Sequence, residues 1–213
     1  MESAYENKTR LSFLPWLVVM LVVGLSFFRW AQNLNWDLSD LSVYHWFPLF
    51  GLMAFSVMWV HYAVDFAQRF IIIEPDRLYL PVTRYIVLFS ILMHPGLLAL
   101  GLWQSGAGLP PQSFYGYVGT SMKWVIVIGM TAWLSFMGFE LHRWFRDKPW
   151  FKWILAANSA AMLLIVVHAI YLARPEGWFR VLWYFYGASL IVFLAKEYYD
   201  YRFPQKVYEK TDL

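Results

Sequence analysis

Long apolar stretches alternate with short polar ones along the whole chain. A helix that crosses the hydrocarbon core of a bilayer, about 30 Å thick, needs about 20 predominantly apolar residues. Stretches of that kind predict membrane spans near residues 11–28, 46–64, 85–103, 118–139, 153–172 and 179–195. The pattern therefore predicts an all-α integral membrane protein, a six-helix bundle that forms a single transmembrane domain over residues 1–213.

Composition supports this prediction and limits the chemistry. The chain is 60% hydrophobic, 21% aromatic and 15% charged, whereas about a quarter of the residues of a soluble domain are charged. The loops and tails between the predicted spans are too short to fold as a globular domain, and they contain no Gly-rich phosphate loop or dinucleotide fingerprint. The absence of cysteine excludes CxxCH haem attachment, cysteine-ligated iron–sulfur clusters and disulfides. Any chemistry must lie inside the bundle or on a partner protein.

The basic residues predict the orientation, because Lys and Arg are retained on the cytoplasmic side of a membrane. With the N-terminus inside, the inside segments hold thirteen of the 17 basic residues. These thirteen are Lys8, Arg10, Arg69, Arg77, Arg84, Arg143, Arg146, Lys148, Lys152, Lys196, Arg202, Lys206 and Lys210. We therefore expect both termini in the cytoplasm and a multi-pass protein of the inner (plasma) membrane. The net charge of +3 indicates topology and contact with anionic membrane lipid, not nucleic-acid binding.

Histidines inside membrane spans are costly and usually functional. His94 and His168 each lie in an apolar run with no carboxylate within one turn, in the outer halves of the third and fifth predicted spans. An imidazole without a partner at that depth is expensive. A backbone carbonyl of a neighbouring helix would satisfy either one. Two such residues at comparable depth favour a shared ligand, haem iron held between facing imidazoles.

Two further histidines lie near the predicted inner surface. His61 has Asp65 four residues later on the same helix face, so that a His–Asp pair and a metal ligand are both open. His142 stands beside Arg143 and a charged loop, where a solvated histidine and a second ligand are both open. Together, His61 and His142 form a candidate inner pair.

Pro95 directly follows His94 in "FSILMHPGLLALGLW". Proline has no backbone N–H, so we expect the carbonyl of Ile91 to lose its helical hydrogen bond and the helix to bend. Gly96 and Gly101 then leave space for a planar macrocycle or for a closely packed helix.

The segment "VTRYIVLFSILMHPGLLALG" and the segment "KWVIVIGMTAWLSFMGFELHRWFRDKPWFKWILAANSAAMLLIVVHAIYLAR" resemble the ferric-reductase-like transmembrane cytochrome b family. That family includes the cores of ferric reductases and NADPH oxidases and the haem-binding membrane subunit of the bacterial methionine-sulfoxide reductase system. The shared features are an Arg-flanked helix with a mid-span His, a short basic loop containing Trp, and a last His in an apolar helix. The resemblance implies a haem b whose axial ligands are His94 and His168.

The resemblance leaves the number of haems open. Two-haem members carry a further His at positions that are here Leu80 or Pro81 and Ile154 or Leu155. Either a single outer haem is bound, or an inner site is built from His61 and His142. The second arrangement is similar to another six-span family, the ascorbate-reducible two-haem cytochromes b, although the depths of the two pairs are reversed there.

The function implied by the resemblance is transmembrane electron transfer by a subunit of an oxidoreductase. A cytoplasmic flavoprotein or a quinol would be the donor, and an acceptor on the outer side would receive the electrons. A flavin or quinone near the inner arginines would bridge the gap below a single haem, although the positive-inside rule also explains those arginines. Two other interpretations remain: a haem-free anchor or scaffold subunit of a larger respiratory or photosynthetic complex, and a transporter or proton-conducting subunit that uses His61 and Asp65.

Overall fold

The computed structural model describes residues 12–71, 73–140, 147–173 and 176–203, without the side chains of residues 152, 155, 173 and 201. Every regular element in that part of the chain is helical. In chain order the helices are α1 (Leu14–Asn33), α2 (Val43–Gln68), α3 (Tyr79–Gln104), α4 (Gln112–Val118), α5 (Lys123–Glu140), α6 (Phe151–Ala173) and α7 (Gly177–Arg202), with a 3-10 turn at Thr120–Met122 before α5. The all-α prediction is therefore confirmed for the described residues.

Five helices of the described chain, not six, are long and apolar enough to cross a membrane: α1, α2, α3, α5 and α7. The fifth predicted span, near residues 153–172, is the exception. It falls on α6, which has 23 residues; the described side chains give it the apolar segment Ala156–Leu172. The chain thus has the helices of a multi-pass membrane protein.

Helix α2 is the centre of the molecule. Its span is 56% buried inside the protein, whereas the corresponding value for the other four spans is 22–33%. It packs against α1, α3 and α7. A helix that is apolar on all sides can bury most of its surface against protein, while the more peripheral helices leave more of their apolar surface exposed.

Aromatic rings join α7 to α2. The ring of Trp183 stacks on Phe55 at a centroid distance of 4.8 Å, and Tyr186 lies 4.9 Å from Trp59. Offset and edge-to-face ring pairs add to the area that they bury. This contact joins α7 to α2, and α7 also packs against α6.

The most extensive packing is within two helical hairpins, α2 with α3 and α5 with α6. Between the hairpins the contacts are specific and few. On the side of α3 facing α5, Arg84 makes a bidentate ion pair with Glu140, with N–O distances of 2.7–3.3 Å. Asn158 of α6 donates to the hydroxyl of Tyr62 of α2 at 3.3 Å. Extensive backbone packing between α3 and α6 is not found in the described part of the chain.

The loop between α2 and α3 is held by Asp76. Its carboxylate accepts hydrogen bonds from the backbone N–H groups of Leu78 and Tyr79 at 2.7 and 3.0 Å, and from the indole of Trp16 in α1 at 2.6 Å. The indole hydrogen bond is the main reason why the pKa of Asp76 is lowered from its ordinary value of 3.8. The start of α3 is thereby fastened to α1.

Candidate functional site

His94 projects from α3 toward α2. Its Nδ1 lies 2.8 Å from the backbone carbonyl oxygen of Phe47. A carbonyl oxygen accepts hydrogen bonds and cannot donate, so Nδ1 must carry a proton. In the neutral imidazole Nε2 is then unprotonated, with its lone pair available. The side chain is half-buried, and Nε2 has no hydrogen-bond partner among the described residues.

His168 repeats this arrangement in the second hairpin. Its Nδ1 lies 2.9 Å from the carbonyl oxygen of Val125 in α5, so Nδ1 again donates and Nε2 again keeps its lone pair. The side chain is also half-buried. We refer to His94 and His168 as the twin histidines.

A glycine lies beneath each twin histidine. A Cβ built on Gly51 of α2 would stand 2.7 Å from Nδ1 and 2.8 Å from Cε1 of His94, and one built on Gly129 of α5 would stand 2.5 Å from Nδ1 of His168. Each glycine comes four residues after the carbonyl that accepts the hydrogen bond. Both imidazoles therefore lie directly on the backbone of the partner helix of their own hairpin.

The twin histidines also lie near each other. They stand roughly 22 Å along α3 and roughly 26 Å along α6 from the starts of the helices, at a rise of about 1.5 Å per residue. Helix α5 contacts both sites: its Gly129 lies against His168, and one turn later Trp133 donates to the backbone of α3 one turn before His94. Two neutral imidazoles with free Nε2 atoms form the donor set that bis-histidine haem iron takes, and so the residues fit this group.

Pro95 introduces a contact between the hairpins next to His94. Pro95 has no backbone N–H. As expected, the carbonyl of Ile91, four residues earlier, therefore lacks the donor of its helical hydrogen bond. The indole N–H of Trp133 in α5 donates to this carbonyl at 3.2 Å. Trp133 lies one turn after Gly129, so the same helix contacts His168 and the backbone beside His94.

The hydrogen-bond partner of His61 is Thr83 and not Asp65. Asp65 is bonded to Arg69 at 2.8 Å, and Nε2 of His61 lies 2.7 Å from the hydroxyl oxygen of Thr83. That hydroxyl donates its own proton to the carbonyl of Tyr79 at 2.6 Å, so it must accept from His61. Nε2 of His61 is therefore protonated, which counts against ligation of iron through this atom.

The remaining histidines give less support for a second site. Nδ1 of His45 accepts from the backbone N–H of Ser42 at 3.0 Å and forms part of the cap of α2. His142 lies outside the described residues. The inner pair of His61 and His142 consequently stays a prediction.

The arginines proposed to hold a flavin or quinone are partly engaged. Arg69 bridges Asp65 and Asp200, and Arg84 is held by Glu140. Arg77 is exposed, while Arg143 and Arg146 fall outside the described residues. The prediction of a flavin or quinone site is left open by these contacts.

Other metal chemistry finds little support in the part of the chain that can be described. No group of three or more His, Cys, Asp or Glu side chains that could hold a metal ion occurs there. A haem bound by two histidines needs no such group.

Of the two glycines noted near His94, Gly101 packs against Tyr44, with 3.1 Å from a built Cβ to the ring, and Gly96 has nothing within 4 Å of a built Cβ.

Sequence reasoning identified the twin histidines but missed Gly51, Gly129 and Trp133. A signal was present: "GLMAF" at residues 51–55 and "GMTAW" at residues 129–133 share a Gly followed three residues later by Ala and then by an aromatic residue. Ala54 and Ala132 are both buried. This repeated pattern marks the helix that carries each carbonyl acceptor.

In comparisons with protein-family models, curated proteins and solved structures, no match to this chain was found.

Proposed function

We propose that this chain is a haem b-binding transmembrane electron-transfer subunit of the ferric-reductase-like type. It passes electrons between a cytoplasmic flavoprotein or quinol and an acceptor on the outer side. It lies in the inner (plasma) membrane with both termini cytoplasmic and acts with a partner oxidoreductase subunit. His94 and His168 are the axial ligands of the haem iron.

One observation carries this proposal. Of the four histidines in the described chain, only the twin histidines direct Nδ1 to a backbone carbonyl and leave Nε2 with a free lone pair. Histidines that bind metals usually donate their other N–H to a carbonyl or carboxylate, which fixes the tautomer and orients the ring. Both members of the pair have this feature, on two hairpins built alike.

The residues of the chain would prepare the site before the haem binds. The carbonyls of Phe47 and Val125 hold the rings and increase the basicity of each Nε2. Trp133 keeps α5 in register with α3 through Ile91, and this contact limits relative movement of the two ligands. A haem bound there would supply one-electron transfer within the membrane.

The test is a dithionite-reduced minus air-oxidised absorbance spectrum of the purified protein, with pyridine haemochrome quantification. The parent, His94→Ala and His168→Ala are compared. We expect a b-type spectrum with one haem per chain in the parent and no haem in either variant. Two haems in the parent, one of which survives both substitutions, would support an inner site in addition.

A haem-free anchor subunit is the second candidate, because the carbonyl hydrogen bonds satisfy Nδ1 of both histidines without any cofactor. It predicts a folded parent with no haem, even when expression is supplemented with haem precursor. That result would overturn the cytochrome proposal.

A further inference from the structure

We infer that Gly51 and Gly129 are positioning residues for the two iron ligands of the proposed haem site. The inference rests on the proposed function and extends it to two residues that do not themselves touch the haem iron. Its basis is the contact between each glycine and the imidazole that lies on it.

The contact distinguishes these two glycines from the others in the chain. The sequence has 12 glycines, and a built Cβ comes within 3.0 Å of another group at Gly51 and Gly129 alone. In both cases that group is the ring of a twin histidine. A contact this short is not tolerated by real Cβ atoms, so an alanine would have to displace the ring.

The position of each glycine explains why displacement matters. In an α-helix a carbonyl oxygen points along the helix toward the residue four positions later. Gly51 follows Phe47, and Gly129 follows Val125, by that spacing. The missing side chain leaves room for an imidazole to reach the carbonyl, which accepts from Nδ1 at 2.8 and 2.9 Å. Glycine therefore permits both the ring position and the tautomer.

Both hairpins use this arrangement in the same order: a helix with a carbonyl and a glycine, then a helix with the histidine. Its appearance twice, on the two histidines that have a free Nε2, favours a role in ligand geometry. Simple close packing of helices would be satisfied by a glycine against any side chain, as Gly101 is against Tyr44.

The experiment compares Gly51→Ala and Gly129→Ala with two matched controls, Gly24→Ala, whose added Cβ would have nothing within 4 Å, and Gly138→Ala, whose added Cβ would meet only the Ile154 side chain at 3.9 Å. Gly138 lies in the same helix as Gly129, which makes it the stricter control. Haem affinity and the midpoint potential of the bound haem are measured for each protein. Loss of a contact that orients a metal ligand typically weakens binding about 10- to 100-fold.

We expect haem binding to weaken by about tenfold or more in Gly51→Ala and Gly129→Ala, with a shifted potential in any haem retained. The controls should match the parent in both quantities. Parent-like affinity and potential in the two test variants would overturn the inference and leave the proposed function intact. A folded parent without haem would instead contradict the proposed function, and the inference with it.

A second measurement separates positioning from folding. Gly51→Ala is placed in the His94→Ala background, where the ring that it would displace is gone. We expect the thermal unfolding temperature of this double variant in detergent to equal that of His94→Ala alone. An equal loss of stability with and without the imidazole would show that Gly51 serves helix packing, and the inference would be wrong.

Discussion

The twin histidines and His61 lie on apolar helices of one bundle, but their hydrogen bonds assign them opposite tautomers. His94 and His168 each face a carbonyl, which can only accept, so the proton is on Nδ1 and Nε2 is free. His61 faces a hydroxyl whose proton is already donated to Tyr79, so the proton is on Nε2. The atom that meets the imidazole, and not the apolar helix that carries it, separates a candidate ligand from a structural histidine.

The largest effect that tests this difference is the removal of His61. We expect His61→Ala to retain all of the haem of the parent and to lose about 2 kcal/mol of stability, from a cavity and a lost hydrogen bond. Thr83→Val, which keeps the imidazole of His61 but removes the hydroxyl that accepts from it and donates to Tyr79, should also retain the haem. The measurements are haem content and unfolding by denaturant in micelles. Loss of haem in His61→Ala with the fold intact would place His61 among the ligands.

Trp133 sharpens the comparison, because it joins the two hairpins that carry the twin histidines. We expect Trp133→Phe to destabilise the protein by about 1–2 kcal/mol, since it leaves the carbonyl of Ile91 unpaired in an apolar environment. Pro95→Ala supplies a backbone N–H for that carbonyl, so Trp133→Phe should cost less in the Pro95→Ala background. The double-mutant cycle is measured by unfolding in micelles. Additive effects of the two substitutions would show that the indole hydrogen bond contributes nothing.

The ion pair of Arg84 in α3 and Glu140 at the end of α5 also joins the two hairpins, away from the twin histidines. We expect Glu140→Gln to cost about 1 kcal/mol of stability, a small value because the Arg84 side chain is 40% exposed and water screens the pair. The haem spectrum should not change. A shift in the haem midpoint potential would show that this pair acts on the site electrostatically and not only on the fold.

Asp76 gives the smallest effect, one that depends on pH. Its pKa is lowered in the folded protein by the hydrogen bond from Trp16 and by the backbone N–H groups of α3. The stability that it contributes is present above its ordinary pKa of 3.8 and is lost as pH falls through the lower folded-state value. We expect Asp76→Asn to flatten this part of the stability curve without changing the haem spectrum. An unchanged curve between pH 5 and about 3 would show that the Asp76 contacts do not stabilise the charged form.

The sequence allowed the helices and the twin histidines to be predicted, because apolar length and a histidine in an apolar run are local signals. The hydrogen-bond partners were harder to predict. Every backbone residue has a carbonyl, so nothing in the sequence marks those of Phe47 and Val125 as acceptors. Likewise, Asp65 is closer to His61 in sequence than Thr83 is, but Arg69 takes the carboxylate and the register of α2 on α3 brings the hydroxyl instead.

Pro95 illustrates the same limit. Its effect on Ile91 follows from the chemistry of proline alone and was predicted. The donor that fills the gap, Trp133, belongs to another helix, and its position depends on how two hairpins pack. The difference between five long spans and the six that were predicted also concerns one helix, α6.

The central claim is that one haem is held by His94 and His168, and near-infrared magnetic circular dichroism of the oxidised protein tests it most directly, because the charge-transfer band of ferric haem identifies its axial ligands. We predict a low-spin bis-histidine signal in the parent and in His61→Ala, and its loss in both His94→Ala and His168→Ala. A bis-histidine signal that survives both of those substitutions, or a folded parent without haem, would contradict the claim.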